Sequence, residues 1–452
     1  MSNTVETAVT ASCEILDKTM EPTNNVITQL CMFQEERSAA DTIARTAHYA
    51  SDPTAYLREK LGAEGFEERK QMLCLPTEVD LDRYGGGAHK QHFEQHIATM
   101  LGKQHGLFFV TGVQAQLAAL KGHCNARSRQ KAAWHVSSHL EDCELSAYSE
   151  LYGLQRQLLG SDPTALPTVK EITEVLDRPE HERPAAVLIE VPNRVLGCQT
   201  YTFSELEQLS EACRKAGVAF HMDGARLWEV EPYYRATAGK SFAEIGALFD
   251  SIYVSFYKAL GGATGAMLAS NDLVIMDEAK IWQRRAGGNA FSLGYQIIDC
   301  ERGFNENMGL FARRWQKMQD VAAGIEAATA SYKTDGQEPI ISFMSGKPTC
   351  CQVITVFNGF TAEELAKARD AVEKKIRVRV FERLRPKQSL DQMIRAQQEK
   401  ASGDISSVEA AEASTDDRKH FVEWFIMNVT FEFLTQVFVD AYRALCEELV
   451  AE

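Results

Sequence analysis

The sequence predicts an α/β protein: a large, doubly wound, mostly parallel sheet, followed by a smaller α+β domain. Three observations carry this. Between residues 107 and 270, short apolar runs alternate with helix-length amphipathic stretches, the pattern of repeated strand–helix–strand units with right-handed crossovers. Two of those runs stop at a charged residue beside glycine, as strands ending at a ligand crevice do. Beyond residue 306 the pattern changes to three longer strands flanked by two helices, which reads as a second body. A chain of 452 residues with 45% hydrophobic content is long enough to fill two cores. The predicted division is a helical extension at 1–75, a large domain at 76–305 and a small domain at 306–452.

Composition removes several functions. A net charge of −15 argues against binding a phosphate backbone, which needs clustered Lys and Arg. No apolar run has the length of a membrane helix. The first twenty residues carry acids, no arginine and no apolar core, so neither a signal nor a transit peptide is expected, and a cytoplasmic enzyme is. The 11 cysteines are scattered, without a CxxC or a histidine-spaced pair. They read as reduced thiols, with no disulfide framework and no metal site.

Taken in order, residues 1–75 are helix-prone, with a break at Asp52-Pro53. Tyr84-Gly85-Gly86-Gly87 forms a turn ahead of an amphipathic helix reaching 101. A strand at 107–110 runs into Thr111-Gly112-Val113 and another helix, an arrangement that offers backbone N–H groups to a phosphate. A strand at 134–138 leads to His139, with His135 as a histidine inside the strand. A helix is predicted at 149–159. The run at 185–190 is a buried strand ending in Glu190-Val191-Pro192-Asn193, and a helix at 203–217 follows. Residues 218–220 lead to Asp223, and 251–257 lead to Lys258 and Gly261-Gly262. After a further strand to 270 comes a basic, glycine-bearing turn at 282–288, and a long helix starts near 301. The small domain has strands within 350–360, 376–384 and 421–431 and helices at 362–375 and 435–448. The polar stretch 387–417 between them reads as a mobile insertion.

The two strand ends with charged residues, Asp223 and Lys258, lie 35 residues apart and are placed to converge at the carboxyl edge of the sheet. Singly they are commonplace, since such an Asp more often caps a turn. Together they suit pyridoxal 5′-phosphate, whose aldehyde condenses with a lysine and whose ring nitrogen is kept protonated by an acid. The lysine must be deprotonated to attack, which a desolvated site promotes.

The segments HMDGARLWE (221–229) and SFYKALGGATGAML (255–268) resemble the threonine aldolase and β-eliminating lyase family, pyridoxal-phosphate enzymes of fold type I, and the resemblance extends over about 76–450. It implies that Lys258 bonds the cofactor aldehyde and that Asp223 faces the ring nitrogen. It implies that His139 stacks on the ring, that Thr111, Gly112 and Val113 form the phosphate cup, and that Ser255 lies beside the cofactor. It makes Arg226 a ligand of the substrate carboxylate or the cofactor surroundings, and Tyr84 a substrate contact. One of Arg284 and Arg285, taken as Arg285, supplies charge to the phosphate, often from the neighbouring subunit. Asn193 stands where relatives carry a His; it can donate to the cofactor's phenolic oxygen but cannot act as a base. Acids after Tyr84 and an Arg in the last strand are missing, with Arg418 or Arg385 as possible replacements for the latter. The expected activity is Cα–Cβ cleavage of a β-hydroxy-α-amino acid to glycine and an aldehyde, by a homodimer or homotetramer. The alternatives are β-elimination, racemisation, or a non-catalytic protein that keeps the fold.

Overall fold

The computed structural model describes residues 27–32, 37–386 and 418–451; the insertion expected at 387–417 and the first 26 residues lie outside them. The organising element is a seven-stranded sheet: β1 (His105–Phe109), β2 (Lys131–His135), β3 (Gln155–Leu159), β4 (Ala186–Glu190), β5 (Ala219–Gly224), β6 (Ser251–Ser255) and β7 (Ala266–Ser270). Their order across the sheet is β1-β7-β6-β5-β4-β2-β3, with β2 to β6 parallel and β7 antiparallel to both neighbours. Every residue of β4, β5, β6 and β7 is buried, which is why these strands read as unbroken apolar runs rather than alternations. Register sets Glu190 of β4 opposite Asp223 of β5, and Asp223 opposite Tyr253 of β6, so the carboxyl ends of three strands lie level.

Two expectations change here. The helix predicted at 149–159 is a short turn at Ala147–Glu150 followed by β3. Gly153 takes a left-handed φ of 62°, which ends the helix, and β3 is an edge strand whose Gln155, Arg156 and Gln157 face partly into water, so it carries no apolar signature. The strand predicted at 134–138 begins earlier, at Lys131, and Val136–Ser138 form the turn after it.

Around the sheet run α1 (Ala39–Ser51), α2 (Pro53–Arg69), α3 (Ala88–Met100), α4 (Gly112–Ala126), α5 (Phe203–Ala216), α6 (Leu227–Ala238), α7 (Leu273–Arg285), α8 (Gly294–Asn307) and α9 (Phe311–Thr329). Asp52 ends α1 and caps α2, its carboxylate accepting from the Ala55 N–H at 2.9 Å, with Pro53 at the first helical position. Both helices lean on α8: from α1 Tyr49 donates to Glu301 at 2.7 Å and Thr46 to Asp299 at 2.8 Å, and from α2 Tyr56 donates to Glu306. The long helix predicted from 301 is two, α8 and α9, broken where Gly309 has a φ of 86°.

The small domain folds as an antiparallel sheet of β8 (Ile341–Phe343), β9 (Gln352–Asn358), β10 (Arg385–Pro386) and β11 (Lys419–Phe425), in the order β10-β11-β9-β8; α10 (Ala362–Ile376) packs on α11 (Thr435–Ala451), whose Phe438 and Tyr442 meet Trp424 and Phe357 of the sheet. Thr28–Gln29 pairs in parallel with Val378–Arg379, so the segment ahead of α1 belongs with the small domain. One apolar core runs without interruption from Phe220 and Trp228 of the large domain to Val353 and Trp424 of the small one. Among the described residues, no helix is long and apolar enough to cross a membrane.

Candidate active site

β5 delivers Asp223 to the carboxyl edge, 4% exposed, where its Oδ1 accepts from the Ala225 N–H at 2.9 Å. The turn carrying it is stapled to β6: the Ser255 hydroxyl donates to the Ala225 carbonyl at 2.7 Å, and the Trp228 indole N–H donates to the Ser255 carbonyl at 2.9 Å. Three residues beyond β6 is Lys258, held by a tight turn in which the Gly261 N–H donates to its carbonyl at 2.9 Å. Gly261 has a φ of 72°, so glycine suits that corner. Burial disfavours the Lys258 ammonium and the nearby Arg226 repels it; together they outweigh the attraction of Asp223 and bring its pKa down to about 8.

Lys258, Asp223, His139, Arg226 and Val113 line one cavity. Gln116, Glu190, Arg194, Tyr253 and Tyr257 are also in its wall. His139 starts a short helix capped by Ser138; its backbone N–H donates to Glu190 Oε1 at 2.6 Å, and its Nδ1 bonds Glu144 Oε1 at 2.9 Å. Burial works against the imidazolium, but the bonds to Cys143 and Glu144 and the charges of Glu144 and Asp223 prevail and lift its pKa to about 10. Burial first, and then the charge of Asp223 on the adjacent strand, push the Glu190 carboxyl above its ordinary value.

The first turn of α4 faces the same cavity through Val113. Thr111 caps it, its hydroxyl accepting from the Gln114 N–H at 3.3 Å. A Cβ on Gly112 would lie 1.9 Å from the Tyr253 hydroxyl oxygen, so only glycine lets the helix start this close to β6. Three buried polar atoms around the cavity have no hydrogen-bond partner in the protein: Gln116 Oε1, Glu144 Oε2 and Arg226 Nε. Burying such atoms unpaired is costly. An amine, a buried acid, a flat imidazole, a helix N-terminus and orphaned polar atoms around one space fit pyridoxal 5′-phosphate.

Other expected residues stand elsewhere. The Asn193 amide is consumed within its own loop, donating to the Ser137 hydroxyl at 2.9 Å and accepting from the Leu196 N–H at 3.0 Å, and it does not line the cavity. The Ser255 hydroxyl serves the Ala225 carbonyl, so it positions the wall without forming it. Tyr84 is 59% exposed, edge-on to Phe291 at 5.3 Å, and Arg285 is exposed on the Trp282 ring at 4.9 Å; neither lines this chain's cavity. Arg385 and Arg418 also lie outside it.

The sequence reading passed over Arg194, Gln116 and Glu144. Arg194 Nη1 sits 3.3 Å from Oε2 of Glu423 on β11, whose Oε1 accepts from Gln352. Arg226 donates to Glu229 at 3.1 Å and lies over the Phe425 ring, 5.3 Å from its centre. Small-domain strand β11 therefore closes on two large-domain cations. The adjacency of Arg194 to the 190–193 quartet, and of Glu144 five residues past His139, were the available signals.

A family profile for beta-eliminating lyases matches residues 67–339. The low specificity L-threonine aldolase of Saccharomyces cerevisiae is 28% identical over 214 residues, 45% of this chain and 52% of that protein, so the chain spans about half the length of this relative. An alanine racemase of Cochliobolus carbonum is 27% identical over 247 residues, 54% of this chain and 61% of that protein. Among solved structures, a Listeria monocytogenes protein assigned as an L-allo-threonine aldolase superposes with a TM-score of 0.71 at 27% identity, covering 96% of this chain and 99% of that one.

Proposed function

The chain belongs to the beta-eliminating lyase family, and from that premise we propose that it splits the Cα–Cβ bond of a β-hydroxy-α-amino acid into glycine and an aldehyde. The observation that carries this reading is the meeting of the Lys258 amine, the Asp223 carboxylate, the His139 ring and two guanidinium groups around one cavity. Pyridoxal 5′-phosphate, the cofactor of this family, supplies an electron sink at the substrate's α-carbon. The chain's residues do the rest. The Lys258 amine would hold the cofactor aldehyde and, when free of it, would serve as a base toward the substrate's α-carbon. Asp223 keeps the ring nitrogen protonated, and the His139 ring covers one face. The amides opening α4 receive the phosphate with Gly112 and Val113. Arg226 and Arg194 take the substrate carboxylate, Arg194 filling the role for which the last strand has no arginine.

A second reading, amino-acid racemisation, is favoured by residue 193. Aldol cleavage must remove the β-hydroxyl proton, and the Asn193 amide is no base and is bound to Ser137. For assembly, the reading is a cytoplasmic homodimer or homotetramer. The assembly is supported by exposed Leu81, Tyr84, Phe291 and Tyr295.

The deciding experiment is a panel of threonine stereoisomers, serine and alanine, scored for glycine plus aldehyde, for pyruvate plus ammonia, and for loss of optical rotation. Glycine and acetaldehyde are expected from a threonine isomer, and Lys258→Ala should abolish their formation. Racemised alanine without glycine would replace the first reading by the second.

A further inference from the structure

Away from the Lys258 cavity, three separate elements bring metal-ligating side chains together. Cys74 lies on the segment after α2, His92 on α3 and Glu301 on α8. One ligand atom from each falls within 4.8 Å of the others. The Cys74 sulfur is 3.5 Å from His92 Nδ1 and 3.5 Å from Glu301 Oε2. Around a tetrahedral zinc, with its usual bond lengths to sulfur, nitrogen and oxygen, neighbouring ligand atoms stand roughly 3.3–3.6 Å apart. Two edges of a coordination polyhedron are thus already set. The geometry points to a site for one divalent transition-metal ion held by Cys74, His92 and Glu301.

The surroundings match. Cys74 and Glu301 are fully buried, while His92 is exposed, which leaves an entry path and a place for a water as fourth ligand. The backbone of Cys74 is clamped on both sides by Asn305, whose Oδ1 accepts from its N–H at 2.7 Å and whose Nδ2 donates to its carbonyl at 2.7 Å. Glu301 is oriented by Tyr49, donating to Oε1 at 2.7 Å, and by His89, whose Nε2 lies 3.1 Å from Oε2. Such outer partners fix the direction of ligands. Sulfur, imidazole and carboxylate together select zinc or cobalt over magnesium or calcium. On binding, the Cys74 thiol gives its proton to solvent, and thiolate plus carboxylate neutralise the two positive charges of the ion. The ion would tie the N-terminal helices to α8. Sequence spacing hides the set, because its members lie 18 and 209 residues apart.

The test uses the cofactor-loaded protein, dialysed against a chelator. Zinc is titrated in competition with a chromophoric chelator, and cobalt is added separately for its visible ligand-field bands, which a thiolate in a tetrahedral site intensifies. One equivalent per chain is expected, with a rise in the thermal midpoint on adding zinc. Cys74→Ser and His92→Ala should each weaken zinc binding roughly tenfold or more. Cys74→Ser should also lose the intense cobalt bands, while unchanged cofactor content at Lys258 shows that the variant has folded. No stoichiometric binding, or binding and spectra that persist when Cys74→Ser and His92→Ala are combined, would overturn the site.

Discussion

Lys258 is buried beside a guanidinium, and both facts favour its neutral form. With a pKa of about 8, roughly a tenth of the amine is free base at pH 7, where an ordinary lysine offers far less. Cofactor capture by protein stripped of cofactor should therefore accelerate with pH and level off above about 8. A rate still climbing at pH 10 would mean that the amine is not desolvated as described. If Asp223 holds the ring nitrogen as proposed, Asp223→Asn should keep the cavity but lower turnover by about two orders of magnitude. Arg194 is the sharper case. If its guanidinium takes the substrate carboxylate, Arg194→Met removes a charge-assisted bond worth about 1.5–3 kcal/mol, which is tenfold to hundredfold in KM with kcat less affected. Arg194→Lys should recover part of that loss. An unchanged KM in the methionine variant would return Arg194 to being only the ion-pair partner of Glu423.

Strands β5 and β6 carry the site at one end and a polar knot in their interior. His221 of β5 and His123 of α4 both bond the Ser251 hydroxyl at 2.7 Å. Burial holds both rings neutral, bringing His221 to about 3 and His123 well below its usual value, the latter helped by the charges of His221 and Arg127. Native pKa values below the unfolded value mean that the unfolded chain binds protons first. The stabilisation is therefore complete above about pH 6.5 and is lost as pH falls toward 3, at about 1.4 kcal/mol per pH unit for each ring. Urea midpoints between pH 6 and 4 should fall less steeply in His221→Gln than in the parent, even if the variant starts lower. Equal slopes would show that another group governs acid unfolding. The same elements explain what was legible in the sequence. β4, β5 and β6 are buried on both faces, so their apolar runs announce them and the charged residues that end them. β3 is an edge strand and announces nothing. Asp223 closes a strand, Lys258 and His139 come within four residues of one, and each could be found singly. Arg194 could not, because its partner Glu423 comes from a strand 229 residues away, and Gln116 depends on which face α4 turns inward.

The whole molecule leaves an apolar patch uncovered. Tyr84 takes a left-handed φ of 50°, and its N–H donates to the Phe291 carbonyl at 2.8 Å, so two exposed aromatic rings are fixed side by side, with Leu81 and Tyr295 also exposed. Tyr84 and Arg285 are residues the family resemblance assigned to the site, yet in one chain both stand outside the cavity. A second copy would resolve the mismatch if each chain lends these residues to its neighbour. Sedimentation should then give a dimer or larger, and Tyr84→Asp with Phe291→Asp should dissociate it and lower activity. A fully active monomer would end the idea. Complementation tests the sharing itself. Lys258→Ala and Arg285→Ala chains are each expected to be impaired alone. Co-expressed, half of the dimers are mixed, and each mixed dimer has one site with both residues intact, so roughly a quarter of the parent activity returns. If Arg285 acted within its own chain, every site in the mixture would lack one of the two residues, and no activity beyond that of the separate variants would appear.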